Sequence, residues 1–299
     1  MTISFEGRAA IVTGAGGGLG RAYALELARR GAKVVVNDLG GARDGSGQSD
    51  AAAKVVEEIS AAGGTAIANG ASVTDHEQVE AMVAQAREAF GTVHILINNA
   101  GILRDKSFAK MDMADFRAVV DVHLIGSANC TRAVWELMRE QAYGRILMTA
   151  SSTGLYGNFG QANYGAAKMG LAGLAKTLSL EGAKYNVRVN TIAPTAATRM
   201  TEDIFPPDLL ALFKPELVAP AALFLVSEDA PTNFIVGAGA GVVQTAYVTL
   251  TRGVALPADE LTPEAVARMW DQIIDRTGEI VPQSGADQAM TSLQRLQGR

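Results

Sequence analysis

Short apolar runs alternate with longer amphipathic stretches through the first two thirds of the chain. Five runs are apolar on both faces, which is typical of strands in a parallel sheet covered by helices on both sides. These runs lie at 9–12, 34–36, 95–97, 146–148 and 187–192. Three stretches between them repeat their apolar positions at helical spacing, at 21–30, 51–62 and 75–90. The alternation predicts an α/β fold with a doubly wound parallel sheet.

Helix ends can be predicted from the capping residues. Thr74 and Glu77 form a capping-box pattern ahead of the third helix, which predicts Thr74 as its N-cap. Gly31, Gly63 and Gly91 stand where the three helices should stop.

The last fifty residues form a C-terminal extension in this interpretation. After a final strand near 234–236, Thr262 followed by Pro263 predicts an N-cap and a helix to about residue 275, with loosely ordered residues beyond 278. We expect one domain over 1–251 and an extension over 252–299 that packs on the domain or on a neighbouring subunit. Its apolar stripe, Val266, Met269, Trp270 and Ile273, is costly to leave in water.

Charge and cysteine content narrow the class of protein. A formal net charge of −5 provides no broad positive field that would favour nucleic acid or an anionic membrane as a partner. Cys130 is the one cysteine, which excludes an internal disulfide and favours a reducing compartment. No stretch approaches the roughly 18 apolar residues that span a bilayer, and residues 297–299 do not spell a Ser-Lys-Leu type of peroxisomal address. We therefore expect a cytoplasmic protein that acts on a small molecule.

A glycine-rich turn directly follows the first strand. Residues 13–20 read T-G-A-G-G-G-L-G, with Gly14, Gly18 and Gly20 at G-x-x-x-G-x-G spacing, and a helical pattern begins at once. Glycine leaves room for a pyrophosphate to approach the backbone N–H groups of a helix N-terminus. In isolation such a turn is often only a flexible loop. Its place between a strand and a helix favours a Rossmann-like dinucleotide site.

Asp38 strengthens that interpretation. It ends the second strand, 24 residues after Gly14, near the spacing of roughly 20 at which an acidic residue accepts hydrogen bonds from the adenosine ribose. Its charge would repel a 2′-phosphate, so NAD is favoured over NADP, although Arg43 leaves a minority case for the phosphorylated cofactor. The alternative is a purely structural role, in which Asp38 only begins a turn toward Gly40. The polar segment 40–47 is predicted to be a surface loop bordering the adenosine end.

Tyr164 and Lys168 are the candidate proton-handling pair. Four residues apart on a predicted helix, they share one face. At about 4 Å and an effective dielectric near 20, the ammonium would lower the tyrosine pKa by roughly three units. A Tyr-x-x-x-Lys pair alone is a weak motif. Ser151 strengthens it, because Ser151 comes after the strand at 146–148 and catalytic groups in an open α/β sheet lie at the carboxyl ends of strands. Spacing alone does not exclude Ser152.

The turn 13–20, the segment 98–101, Ser151 and the Tyr164–Lys168 pair together resemble the short-chain dehydrogenase/reductase family over about residues 5–250. Within the family, stretches such as 36–41 and 156–164 are similar to the (3R)-hydroxyacyl-CoA dehydrogenase branch, the type present in peroxisomal multifunctional enzymes. The resemblance implies NAD-dependent, reversible oxidation of a (3R)-hydroxyacyl-CoA in fatty-acid or steroid side-chain β-oxidation, by a homodimer or homotetramer. The alternatives are 17β-hydroxysteroid dehydrogenation and, from another class, a catalytically silent NAD-binding module.

The resemblance also implies roles for individual residues. Ser151 would position the substrate oxygen, Tyr164 would be the acid/base, and Lys168 would bind the nicotinamide ribose as well as tune Tyr164. His123 stands where many family members have asparagine, so its part in a proton relay is left open. The cofactor pocket would be completed by Leu19, Ser72, Val73, Asn99, Ala100, Gly101, Pro194, Ala196, Ala197, Thr198 and Arg199. His76 and His94 have no second ligand at metal spacing, so no metal is predicted.

Overall fold

The predicted apolar runs form strands of one mostly parallel sheet. The computed structural model describes residues 2–47, 49–197 and 211–297 of the chain. The strands are β1 Ala9–Thr13, β2 Lys33–Asn37, β3 Thr65–Asn69, β4 Ile95–Asn98, β5 Gly144–Thr149, β6 Val187–Pro194, β7 Ile235–Gly239 and β8 Val242–Ala246. Their order across the sheet is β3-β2-β1-β4-β5-β6-β7-β8, and the pairs from β3 to β7 are parallel. The predicted doubly wound α/β fold is therefore confirmed.

Helices cover both faces of this sheet. They are α1 Gly18–Arg29, α2 Ala51–Ala61, α3 His76–Phe90, α4 Met113–Val120, α5 Gly126–Glu140, α6 Ser152–Tyr156, α7 Ala162–Gly182 and α8 Ala219–Phe224. Side chains alternate along each strand, so Ala10 and Val12 of β1 join the core beneath α1 and α2, while Ile11 joins the core beneath α3 and α5. Burial on both faces explains why these strands are apolar throughout.

Several details differ from the sequence-based predictions. Strands β3 and β8 were not predicted: they lie at the two edges of the sheet, β3 is only partly buried and β8 is mostly exposed, and neither has a run of large apolar residues. The N-cap of α3 is Asp75, whose carboxylate accepts a hydrogen bond from the Gln78 N–H at 3.2 Å. Thr74 instead pairs its hydroxyl with that of Ser72 at 2.8 Å. The predicted helix stops are confirmed, since Gly31, Gly63 and Gly91 all adopt positive φ.

The chain divides into two compact units, Met1–Thr245 and Ala246–Arg299. In the second unit, Thr262 caps a helix as predicted, its hydroxyl accepting from the Ala265 N–H at 3.1 Å. The expected single helix is interrupted at Met269, giving α9 Pro263–Arg268 and α10 Trp270–Ile273.

The expectation of loose order beyond residue 278 is wrong, because α11 spans Ala286–Leu296. This stretch contains neither glycine nor proline, and the Asp287 carboxylate accepts from the N–H groups of Gln283 at 2.6 Å and Ser284 at 3.1 Å. None of the described helices is long and apolar enough to cross a membrane.

Candidate active site

A cavity of about 490 Å³ opens at the carboxyl ends of the strands, where the strand order reverses between β1 and β4. Open α/β sheets bind ligands at such a switch point. Its walls are made by the turn after β1, by Asp38 at the end of β2 and by the segment that follows β4. Asn99 ties two of these walls together, since its side-chain amide donates to the carbonyl oxygens of Thr13 and Gly14, each at 3.0 Å.

The glycines of the turn have separate roles. Gly14 has φ +63°, and a Cβ there would lie 2.7 Å from Cα of Ala100, so no larger residue fits. A Cβ at Gly20 would fall on the carbonyl oxygen of Gly14, so Gly20 packs behind the cavity rather than lining it. Helix α1 begins at Gly18 with no side-chain cap and no acidic residue in its first turn. Its free N–H groups therefore suit an anionic phosphate.

Asp38 lies on the cavity wall and already accepts two backbone hydrogen bonds. Its Oδ2 accepts from the Gly16 N–H and its Oδ1 from the Gly40 N–H, both at 2.7 Å. An ionised carboxylate has about four lone-pair sites, so acceptor capacity remains for ribose hydroxyls. The glycine cradle, the uncapped helix and this carboxylate fit a nicotinamide dinucleotide, whose pyrophosphate and adenosine ribose they would hold.

The loop at 40–47 folds against the cavity rather than simply lying on the surface. Gly41, Ala42, Arg43 and Gly45 line the cavity. The Leu103 N–H donates to the Arg43 carbonyl oxygen at 3.0 Å, which joins the loop to the segment after β4. The contact between this loop and the segment after β4 could not be predicted from composition. That this end of the cavity holds the adenosine stays a prediction.

The other proposed cofactor residues divide into three groups. The cavity is lined by Gly14, Gly18, Leu19, Asp38, Ser72, Val73, Asn99, Ala100 and Gly101. Among the described residues, the lining does not extend to Pro194 at the end of β6, to Ala196 or to Ala197, or to Tyr164 and Lys168 on α7. Thr198 and Arg199 lie outside the described residues.

Ser151, Tyr164 and Lys168 come together beside the carboxyl end of β5. Ser151 is the N-cap of α6, and its hydroxyl oxygen accepts from the Thr153 N–H at 3.2 Å. Tyr164 and Lys168 lie on α7, with the Lys168 Nζ 5.4 Å from the centre of the tyrosine ring. Lys168 is only 3% exposed and donates to the Thr149 carbonyl oxygen at 2.5 Å. The Ser151 and Tyr164 hydroxyls are thus hydrogen-bonded to each other, with a buried amine near the tyrosine ring.

The expected lowering of the Tyr164 pKa is wrong for the cofactor-free protein. Burial raises the pKa of Tyr164 to about 12, although the hydrogen bond with Ser151 acts in the opposite direction. Burial also lowers the pKa of Lys168 to about 7, so its amine is only partly charged at neutral pH. The sequence shows the spacing of the pair, but the loss of solvation that outweighs their attraction depends on tertiary packing.

His123 lies in a π-helical turn, Asp121–Ile125, and its ring packs edge-on against Tyr164 with centroids 5.2 Å apart. Its Nε2 is 2.8 Å from the Ile102 carbonyl oxygen, and its buried Nδ1 has no hydrogen-bond partner within the described residues. Burial, followed by the charge of Lys168, holds the pKa of His123 well below its usual value. A Cβ at residue 101 would overlap the His123 ring, so the lack of a side chain at Gly101 leaves space for that ring. The histidine is therefore neutral, and a relay role stays a prediction.

Sequence reasoning missed a polar network next to these groups. Asp105, Gln161 and Asn163 connect the segment after β4 to the start of α7. The signal was present in the sequence, because two amide side chains, Gln161 and Asn163, lie three residues and one residue before Tyr164, where a helix begins. The described part of the chain contains no group of three or more His, Cys, Asp or Glu side chains that could hold a metal.

The chain is similar to curated proteins over most of its length. The mouse peroxisomal multifunctional enzyme type 2 is 50% identical over 286 residues, covering 94% of this chain and 38% of that protein. The Saccharomyces cerevisiae peroxisomal hydratase-dehydrogenase-epimerase is 52% identical over 277 residues, covering 91% of this chain and 31% of that protein. The chain thus spans between a quarter and a half of these two relatives.

The fold of the chain is also similar to those of solved structures. The full-length Drosophila melanogaster peroxisomal multifunctional enzyme type 2 superposes with a TM-score of 0.83 at 41% identity, over 99% of this chain and 50% of that one. A 7α-hydroxysteroid dehydrogenase complexed with NADH and 7-oxo glycochenodeoxycholic acid superposes with a TM-score of 0.72 at 31% identity, over 81% and 96%. The short chain dehydrogenase family pattern matches residues 8–208. The chain is an oxidoreductase of the short-chain dehydrogenase/reductase family.

Proposed function

We propose that this protein is an NAD-dependent dehydrogenase that oxidises the secondary alcohol of a (3R)-hydroxyacyl-CoA to the ketone, and catalyses the reverse reduction. The observation that carries the proposal is the grouping of Ser151, Tyr164 and Lys168 near a cavity suited to a dinucleotide. The His123 ring packs against Tyr164 and lies 2.8 Å from the carbonyl oxygen of Ile102, which lines that cavity. When bound, the nicotinamide would supply the chemistry of hydride acceptance. The side chains of this chain would handle the proton and the substrate oxygen.

In the oxidation, Tyr164 Oη takes the hydroxyl proton of the substrate as the carbon–oxygen double bond forms. Ser151 donates a hydrogen bond to the same oxygen and holds it in place. The Lys168 Nζ lies 5.4 Å from the centre of the Tyr164 ring, and its charged form favours the phenolate form of Tyr164. We propose that Lys168 also binds the nicotinamide ribose. A positive charge placed near Tyr164 by a bound oxidised cofactor acts in the same direction, against the burial that raises the pKa to about 12.

The preference for NAD is proposed from Asp38. We expect Asp38→Ala to narrow the ratio of kcat/KM for NAD over NADP by about 10-fold or more, because it removes both the ribose acceptor and the repulsion of a 2′-phosphate. It also leaves the Gly16 and Gly40 N–H groups without their partner, so affinity for NAD itself falls. Initial rates with both cofactors measure the ratio. Equal kcat/KM for NAD and NADP in the parent protein would contradict the proposal.

The hydroxyacyl-CoA substrate is proposed from the resemblance of stretches such as 36–41 and 156–164 to the (3R)-hydroxyacyl-CoA dehydrogenase branch, and the name of a hydratase-dehydrogenase-epimerase at 52% identity supports a dehydrogenase. That name describes a longer protein, of which this chain matches one part. The runner-up, a hydroxysteroid such as a 17β-hydroxysteroid, is favoured by the steroid-bound structure at 31% identity. Cofactor reduction measured with both substrate classes separates them: a higher kcat/KM for hydroxysteroids than for 3-hydroxyacyl-CoA esters would overturn the assignment.

A catalytically silent NAD-binding module is the alternative from another class. The grouping of Ser151, Tyr164 and Lys168 disfavours it, because a module that only binds NAD has no need for a tyrosine hydroxyl hydrogen-bonded to Ser151 and placed near a buried amine. NAD binding by calorimetry, without turnover on any hydroxyacyl-CoA or hydroxysteroid, would favour the silent module.

The second unit is proposed to serve assembly or substrate binding in a homodimer or homotetramer. Two of the four residues of its predicted apolar stripe are exposed, Val266 at 37% and Trp270 at 54%, while Met269 and Ile273 are partly buried. Helix α11 exposes Met290, Leu293 and Leu296. Such surface is costly in water unless something covers it. Deleting the residues after Gly253 should therefore reduce the oligomer mass, or raise KM for an acyl-CoA several-fold more than for a small hydroxy substrate.

Light scattering and paired kinetics on that truncation decide the question. Trp270→Ser in the full chain is a milder version that leaves the rest of the second unit intact. Unchanged mass together with unchanged acyl-CoA kinetics in both variants would leave the second unit without this role.

A further inference from the structure

The Gln161 side chain connects three segments at the start of α7. It is buried, with 8% of its surface exposed. Its Nε2 donates to the Asp105 carboxylate at 2.7 Å, and its Oε1 accepts from the Thr153 hydroxyl and from the Asn158 amide, both at 3.0 Å. One amide thus joins the segment after β4, helix α6 and the loop that leads into α7.

Two more hydrogen bonds hold the same segments together. The Asn163 side chain donates to the Arg104 carbonyl oxygen at 3.0 Å, and the Lys106 N–H donates to the Gly160 carbonyl oxygen at 3.0 Å. The stretch between Ser151 and Tyr164 is therefore fastened at several points to residues 104–106. Both proton-handling hydroxyls lie at the ends of this stretch.

The position of Ser151 depends on these bonds through Thr153. The Thr153 hydroxyl is held by Gln161, while the Thr153 N–H donates to the Ser151 hydroxyl oxygen at 3.2 Å. A shift of Thr153 would move the partner that orients Ser151. Because proton transfer requires its donors and acceptors to be placed within a fraction of an ångström, such a shift would slow the reaction.

We propose that Gln161 and Asp105 are positioning residues for the proton transfer: Gln161 fixes Ser151 relative to Tyr164, and Asp105 anchors Gln161 while placing a negative charge near the tyrosine. The proposal rests on the proposed function, because it takes Tyr164 as the acid/base. Gln161 and Asp105 touch no reacting atom and act through Ser151 and Tyr164.

Among the charged groups around Tyr164, Asp105 has its own effect on the pKa of the tyrosine. Lys168 faces the tyrosine from its own helix, and His123 faces it from the π-helical turn in a neutral state. Among the ionised groups, the charge of Asp105 raises the pKa of Tyr164, after the larger effect of burial. The neighbouring cations do not cancel it, because Arg104 and Lys106 both pair with Asp115, at 3.1 and 3.6 Å. Asp105 therefore favours the protonated tyrosine, the form needed to reduce a ketone.

The Asp105→Asn substitution removes the negative charge but can keep the hydrogen bond from Gln161, since asparagine retains a side-chain oxygen that accepts from the Gln161 Nε2. The rise of kcat with pH in alcohol oxidation should move to lower pH by about half a unit, and by less at high salt because Asp105 is exposed. The maximal kcat should stay within about 3-fold of the parent value. A merely structural role for Asp105 would not move the pH profile.

The Gln161→Met substitution removes the hydrogen bonds of residue 161 to Asp105, Thr153 and Asn158. It leaves the negative charge of Asp105 in place and nearly conserves the volume of the side chain. We expect kcat to fall by about 10-fold, with KM for NAD little changed and the pH profile in place. Glu57→Gln removes one exposed carboxylate on α2 and is the control for net charge; it should alter neither quantity.

A second readout needs no turnover. The ionisation of Tyr164 can be followed in the cofactor-free protein as the difference in phenolate absorbance between each protein and its Tyr164→Phe counterpart. Asp105→Asn should shift this titration to lower pH, whereas superimposable titrations and pH profiles, or a Gln161→Met protein with parental kcat, would overturn the proposal. Lack of turnover in the parent with every substrate class would refute the proposed function alone, since the tyrosine titration would still report on Asp105.

Discussion

Replacing Tyr164 with phenylalanine is expected to lower kcat by about 10³-fold while leaving the affinity for NAD nearly intact. The phenylalanine ring can keep the packing against His123, whose ring lies edge-on to residue 164. Only the phenolic oxygen is lost, and with it the atom that takes and returns the proton. Steady-state kinetics with a hydroxyacyl-CoA and calorimetric titration with NAD measure the two quantities separately.

The matched control is Tyr156→Phe, which removes the hydroxyl of an exposed tyrosine in the nearby helix α6. That variant should keep parental kcat. A Tyr164→Phe protein with near-parental kcat would show that another group carries the proton, and the proposed mechanism would then be wrong.

Replacing Lys168 is expected to stabilise the cofactor-free protein and to inactivate it. Burial lowers the pKa of Lys168 from 10.5 to about 7. Between pH 7 and 10.5 the unfolded chain therefore binds one more proton than the folded chain, so stability should rise with pH across that window. Below pH 7 the cost of burying the charged amine is fully present. Lys168→Met should therefore increase the free energy of unfolding by on the order of 2 kcal/mol near pH 6, and by less at pH 9.

The same variant should lose activity by about 10²-fold or more and bind NAD more weakly, because it removes the charge beside Tyr164 and the proposed ribose contact. Denaturant unfolding at both pH values and calorimetric titration with NAD measure these effects. Lys176→Met, on the same helix but only half-buried, is the control and should change neither. Unaltered NAD affinity in Lys168→Met would remove the ribose role, and a pH-independent change in stability would contradict the burial argument.

The sequence was sufficient to predict those features of the structure that depend on residues close together in the chain. The turn at 13–20, Asp38 at the end of β2 and the i,i+4 spacing of Tyr164 and Lys168 are short-range features, and each lies where it was predicted. Strands β1, β2, β4, β5 and β6 were predicted because burial on both faces leaves a continuous apolar run.

The remaining features depend on contacts distant in sequence. Asp105 and Gln161 are 56 residues apart, so their hydrogen bond has no periodic signature. The direction of the Tyr164 pKa shift depends on how completely the fold removes water from α7, which spacing does not reveal. A one-residue difference in the N-cap of α3 arose because Thr74 and Asp75 are both good caps and Thr74 pairs with Ser72 instead.

The most direct test of the account is the initial rate of NADH formation with the (3R) and (3S) enantiomers of one 3-hydroxyacyl-CoA. In the proposed mechanism Ser151 and Tyr164 would hold the substrate oxygen at one position, so only one enantiomer would present its hydrogen to the cofactor. The (3R) ester is expected to reduce NAD with a kcat/KM about 10²-fold or more above that of the (3S) ester. Equal rates for the two enantiomers, or no reduction of NAD by either across a range of acyl chain lengths, would contradict it.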